Sequence, residues 1–133
     1  MSLKSKGIAA ERELVHILQN HGFAAIRVAG SGSTVAPSTD VIAGNAGRVF
    51  SFECKTIKRD SRYIAKQQIH DFVSFSSQFG AECWIAVRFA RTPWLFLLIE
   101  DLIETEKNFG ITKTLALQRG LKIEELLELT HSL

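Results

Sequence analysis

The chain has 133 residues, 46% of them hydrophobic and 23% charged, with 16 basic against 14 acidic side chains and a formal charge of +2. That is enough for a single domain across 1–133 with a genuine core and too little for two. No apolar run approaches the ~20 residues of a membrane helix and no basic-then-apolar leader opens the chain, so a cytoplasmic protein with no membrane partner is expected.

The charge is unevenly placed. Residues 1–66 hold ten Lys/Arg against five Asp/Glu, whereas residues 67–133 hold six against nine. Such asymmetry suits a polyanion-facing first half, although basic faces are often merely solvated. Two cysteines, Cys54 and Cys83, lie in predicted strands and read as free thiols rather than a disulfide or a zinc site.

In chain order, Ile8, Glu11, Val15 and Leu18 share a helical stripe, which predicts a helix over Lys6–Asn20 stopped by His21-Gly22. Phe23–Ala29 reads as a strand, and Gly30–Thr34 as a polar loop running on to Pro37. The turn signal Ala43–Gly47 then predicts a hairpin of Val41–Ala43 with Arg48–Thr56. Lys58–Arg62 reads as a basic surface connection, and Ala65–Phe79 as a helix with Ile69, Phe72, Val73, Phe75 and Phe79 on its apolar side. Cys83–Phe89 and Trp94–Ile99 read as strands joined by a turn at Arg91-Thr92-Pro93. A short strand near Thr112–Leu117 and a short helix at Ile123–Leu129 complete the reading. The order implies a mixed α/β fold, a central sheet between helices.

The chemistry concentrates on the hairpin. With the turn near Ala46, Asp40 falls opposite Phe52 or Glu53. Strand alternation puts Val49, Ser51, Glu53 and Lys55 on one face, and Phe50, Phe52 and Cys54 on the other, apolar one. Asp40, Glu53 and the Cys54 carbonyl can supply hard oxygens to a divalent cation such as Mg²⁺. Lys55 would then stand beside the water that the cation activates. A Glu-x-Lys strand also occurs on plainly solvated faces. Glu11 lies near the apolar stripe of the first helix, where a partly buried acid needs a metal, base or hydrogen-bond partner, and Arg12 has the planar fork that suits phosphate.

The four histidines (His16, His21, His70 and His131) share no metal-ligand spacing, and Gly30-Ser31-Gly32 is neither a P-loop nor a dinucleotide fingerprint. Trp84 and Trp94 can stack on bases, but in apolar strands they read first as core or interface residues.

Taken together, the residues resemble the archaeal Holliday-junction resolvase family, often called Hjc, of the PD-(D/E)xK nuclease superfamily. The resemblance runs from Lys6-Gly7 and Ala10–Leu14 through Gly22-Phe23-Ala24, Arg27, Gly30–Ser33 and Asp40–Ala43 to Glu53-Cys54-Lys55. It continues with Tyr63, Gln68, Phe75-Ser76 and Phe79-Gly80, covering roughly residues 5–90. It implies a restriction-endonuclease-like core in which Glu11, Asp40 and Glu53 bind Mg²⁺, with Mn²⁺ as a substitute. It further implies Lys55 as the catalytic lysine, Arg12 engaging the scissile region, Ser31 contributing to cleavage from the loop before the aspartate, and Gln68 near the site. The superfamily's Pro-Asp pair is absent: Thr39 adjoins Asp40, and Pro37 stands three residues earlier.

The implied activity is paired, metal-dependent hydrolysis of a four-way DNA junction by a homodimer. The second helix is a candidate contributor to the dimer contact. Lys4, Lys6, Arg27, Ser31, Lys58, Arg59, Arg62 and Lys66 are expected to face DNA phosphates, which position without reading sequence. A sliding clamp or other replication or repair protein is a further expected partner. Two other readings stand beside this one: a restriction-like nuclease acting on duplex DNA, and a non-catalytic DNA-binding module of the same fold.

Overall fold

In the computed structural model, which describes residues 2–29 and 38–129, the hairpin grows into a five-stranded mixed sheet with helices on both faces. Helix α1 (Leu3–Asn20) leads into β1 (Ala24–Arg27), β2 (Val41–Asn45) and β3 (Arg48–Ile57). The chain continues through β4 (Ser61–Ala65), α2 (Lys66–Phe79), β5 (Glu82–Phe89), β6 (Leu95–Leu97) and a 3-10 turn at Ile99–Asp101. Strands β7 (Ile103–Glu104) and β8 (Asn108–Thr112) and helices α3 (Lys113–Arg119) and α4 (Ile123–Glu128) close it.

Sheet order is β1-β2-β3-β5-β6, antiparallel except for the β3–β5 pair. A parallel pair needs a crossover, which β4 and α2 supply. Strand β4 also joins β8 and β7 in a separate three-stranded antiparallel sheet.

Because β3 is central, both its faces are covered, as parallel neighbours usually are. Phe50 and Phe52 pack with Leu14, Leu18, Phe23, Trp84, Phe96 and Leu126 under α1 and α4. On the opposite face Ile57 joins Ile69, Phe72, Ile85, Val87 and Ile111 beneath α2 and the small sheet. The hairpin turn is tight: Asn45 pairs with Arg48, and Ala46 and Gly47 both adopt positive φ (+44° and +99°). This is the pattern of a two-residue turn matched to strand twist.

Several expectations are borne out and several are corrected. The first helix starts a turn earlier than Lys6, where the Ser2 hydroxyl accepts from the Ser5 N–H at 3.1 Å, an ordinary N-cap. Both tryptophans are buried, and both cysteines are free. The basic connection at Lys58–Arg62 is in part strand, because Ser61–Ala65 pairs with β8, and local charge does not reveal a distant partner. The strand expected at Thr112–Leu117 lies earlier, at Asn108–Thr112, and Lys113–Arg119 is helical. There the Thr112 hydroxyl accepts from the Leu115 N–H at 3.0 Å, so a residue read as strand is a helix cap.

On α2, Ile69, Phe72 and Ser76 face the core, whereas Val73 and Phe79 are exposed. The serine takes the seat expected of an aromatic because Ser51 beneath it offers a hydroxyl at 2.5 Å, and buried polar groups pair. The Leu-rich end docks through Leu126, which is fully buried, and through paired backbone hydrogen bonds between Leu121 and Phe96.

Two glycines give opposite predictions. At Gly7, within α1, an added methyl meets nothing within 4 Å, whereas at Gly120 it falls 2.4 Å from the Ala116 carbonyl oxygen. Gly7→Ala is expected to stabilise the fold by about 1 kcal/mol, and Gly120→Ala to destabilise it by roughly 1–3 kcal/mol. Denaturant unfolding of both variants measures the contrast in sign.

Candidate active site

The site is built where β2 begins and β3 passes its midpoint. Val41 pairs with Phe52, so Asp40 sits where the ladder continues opposite Glu53. Its backbone is fixed on both sides: its N–H donates to the Phe52 carbonyl at 3.0 Å, and its carbonyl accepts from Val28 at 2.8 Å. The neighbouring Thr39, buried, donates its hydroxyl to the Phe52 carbonyl at 3.2 Å. That bond anchors the strand entrance in the absence of a Pro-Asp pair.

Asp40 Oδ2 accepts the Cys54 backbone N–H at 2.8 Å. Glu53 Oε2 receives the Gln68 amide at 2.7 Å and lies 3.2 Å from Lys55 Nζ. Glu53 is only 4% exposed, a placement that requires such partners. Glu11, from the core-side edge of α1, is held by Arg27 of β1 at 3.4 Å.

These groups share a cleft of about 680 Å³ that Glu11, Asp40, Glu53 and Lys55 line together with Gln68. Burial and the neighbouring Asp40 charge push the Glu53 carboxyl up to about 7, against the partial opposition of Lys55 and Gln68. Asp40 is raised by burial, offset by the Cys54 N–H and Lys55. Glu11 is raised by burial and by Asp40, offset by Arg27. Mutually repelling carboxylates around one cleft are a donor set that fits a hard divalent cation, whose charge reverses that repulsion. Among the described residues, however, no three Asp, Glu, His or Cys side chains are drawn together into a ready-made metal cage. Glu11 in particular is engaged by Arg27.

Of the expected phosphate-facing residues, Lys4, Lys6, Arg27, Lys58 and Arg62 line the same cleft. Arg59 and Lys66 do not: Lys66 pairs with Glu104 at 2.9 Å on the outer side. Arg12 is exposed on α1 and does not line the cleft. Ser31 lies outside the described residues. Two cleft residues, Thr39 and Gln68, bear on the site more than spacing alone shows. Gln68 is visible only through the family resemblance, because the contact to Glu53 spans two elements.

Three comparisons agree on what this geometry resembles. The family model described as archaeal Holliday junction resolvase (hjc) matches residues 2–133. A crossover junction endodeoxyribonuclease Hjc of Archaeoglobus fulgidus is 40% identical over 124 residues, spanning 93% of this chain and 90% of the relative. Its counterpart in Methanocaldococcus jannaschii is 44% identical over 106 residues, 80% of this chain and 75% of that one. The solved structure of Archaeoglobus fulgidus Hjc, titled a Holliday junction resolvase, superposes with a TM-score of 0.83 at 38% identity, covering 90% of this chain and 98% of that one. A mixed α/β core carrying Asp40, Glu53 and Lys55 in one cleft, with a family match along nearly its whole length, makes this chain a member of the archaeal Holliday junction resolvase (Hjc) family.

Proposed function

We propose that the protein is a metal-dependent endonuclease that resolves four-way DNA junctions by paired phosphodiester hydrolysis. The observation that carries this reading is the convergence of Asp40, Glu53 and Lys55 in a cleft whose rim bears Lys4, Lys6, Arg27, Lys58 and Arg62. A binding-only module has no chemical need for buried carboxylates beside a lysine.

Asp40 and Glu53 would hold Mg²⁺, or Mn²⁺ in its place, with the Cys54 carbonyl as a further oxygen and Glu11 joining once released from Arg27. Bound there, the cation would lower the pKa of an attacking water and neutralise charge at the scissile phosphate. Lys55, fixed by Glu53, orients that water and offers positive charge as the phosphorus gains its fifth oxygen. Water supplies the new P–O bond and a proton to the departing alkoxide. Gln68 keeps Glu53 aimed into the cleft, and such supporting bonds matter nearly as much as ligands. The rim cations seat the backbone, Arg12 engages the scissile region from its exposed place on α1, and Ser31 contributes to cleavage.

Paired nicks in two strands of like polarity require two sites related by a twofold axis, which a homodimer provides. Its contact is proposed on the α2 side of the sheet. Phe75 and Phe79 stack there with centroids 5.7 Å apart, and Phe79 is 53% exposed. Ile26, 63% exposed, shares that side through its register with Ile42 and Ser51. A sliding clamp or other replication or repair protein is proposed as a further partner.

Three outcomes test the reading. Asp40→Ala or Glu53→Ala should cut nicking of a synthetic immobile junction by at least ~100-fold while gel-shift binding persists; wild-type cleavage in either variant would sink the site. Added Mg²⁺ should raise the melting temperature of the wild type and leave Asp40→Asn nearly unmoved, as read by differential scanning fluorimetry. Junction affinity should fall steeply with salt, by about 0.9 in log–log slope for each phosphate contact, and a linear duplex of the same sequence should compete poorly. Equal competition would favour the duplex-nuclease reading.

A further inference from the structure

Two ion pairs stand in the catalytic cleft, and the one between Arg27 and Glu11 is the longer. Arg27 shares a strand face with Ala25 and is paired with Val41, both of which are buried under α1. Its guanidinium therefore meets Glu11 of that helix. The contact is single, Nη1 to Oε1 at 3.4 Å, against the ~2.7–2.9 Å of a good charge-assisted bond. Among the described residues Arg27 has no second acceptor, so most of the donors of its fork are unused. Arg48 shows the contrast: it engages Glu82 through two nitrogens and reaches the Leu126 and Leu127 carbonyls as well.

This weak contact keeps the metal-binding acids incomplete. Glu11, Asp40 and Glu53 all line the cleft, yet among the described residues no three such side chains gather into a cage. The Asp40 charge disfavours ionised Glu11, and Arg27 favours it, so Glu11 already has its counter-charge without a metal. Lys55 does not take over that task, because Glu53 engages it at 3.2 Å. A phosphodiester entering the cleft offers Arg27 two oxygens and a full charge. Its bidentate fit to a guanidinium is what the single 3.4 Å contact lacks.

We propose that Arg27 is a substrate-operated latch on Glu11: a DNA phosphate takes the guanidinium, and the freed carboxylate joins Asp40 and Glu53 in the divalent-cation site. This rests on the nuclease reading of the cleft and adds its regulation. Without DNA, a cation meets a latched acid and lacks one ligand. Without a cation, DNA can take Arg27 only by leaving Glu11 uncompensated beside Asp40. Binding of DNA and binding of cation are therefore positively coupled, and linkage makes the coupling mutual. The complete site forms only when both are present, so hydrolytic chemistry is withheld from a cleft that holds no substrate.

The test uses full-length protein and synthetic four-way junctions, first in EDTA, with affinity read by fluorescence anisotropy. Glu11→Gln removes the charge that competes for Arg27 and should bind the junction at least ~5-fold tighter than wild type. In an Arg27→Gln background the same change should do much less, which a double-mutant cycle reads directly. The cycle can also be closed on the DNA, so the test stands even where Arg27→Gln does not fold. Among junctions carrying one neutral methylphosphonate at a time near the cut, one linkage should abolish the Glu11→Gln gain. Calorimetric titration of Mg²⁺ into the DNA-free proteins supplies the other arm. Arg27→Gln should bind Mg²⁺ at least ~5-fold tighter than wild type, and the Glu11→Gln, Arg27→Gln double variant should lose that gain. A junction-affinity gain that is equal in both backgrounds and at every linkage would overturn the latch and leave the nuclease reading intact, as would an Mg²⁺ gain that survives Glu11→Gln. Failure of the wild type to nick any junction with Mg²⁺ present would overturn both.

Discussion

The hydrogen bond from the Cys54 N–H to Asp40 Oδ2 is the interaction on which the site depends. It joins the entrance of β2 to the middle of β3 after regular pairing has ended at Val41. Backbone bonds to Phe52 and Val28 hold Asp40 from either side, so its carboxylate has little freedom. With that register fixed, strand alternation does the rest: Glu53 and Lys55 project on the α2 side, while Phe50 and Phe52 anchor the opposite face in the core. A one-residue slip would send every one of these side chains to the wrong face.

The same arrangement opposes folding. Glu11, Asp40 and Glu53 are all harder to ionise than usual: burial raises all three, and the Asp40 charge raises Glu11 and Glu53 further. Lys55, Gln68, Arg27 and the Cys54 N–H offset part of that cost. Removing only one partner of such a network is worse than never having built it, because it leaves a buried charge uncompensated. The surrounding apolar packing is correspondingly complete, with Phe50, Phe52, Phe72, Phe96, Leu14 and Leu18 all fully buried. A rigid core on both faces of β3 is what lets a strained polar cluster keep one geometry.

Legibility in the sequence followed the range of the interactions. Helix α1, the hairpin and β5 are written in local periodicity and turn residues, and the structure bears them out. Strand β4 was hidden because its partner, β8, lies some fifty residues away and its start lies within the basic run Lys58–Arg62. The helix at Lys113–Arg119 was hidden because Thr112 ends a strand and caps a helix at once. At the site, residue types at Asp40, Glu53 and Lys55 were readable, as was the hairpin arithmetic that brings them together. The Arg27 hold on Glu11 and the exclusion of Lys66 by Glu104 were not.

By itself, the sequence determined the elements whose signals are local and the identity of the acids and lysine, because alternation and turn chemistry act over a few residues. Its ordered motifs also carried the family, which the comparisons bear out. Only the tertiary structure decided which cations face the cleft and which aromatic side chains of α2 stay uncovered. Each of those depends on elements distant in the chain, and pairing across such distances is set by the packing of the whole sheet.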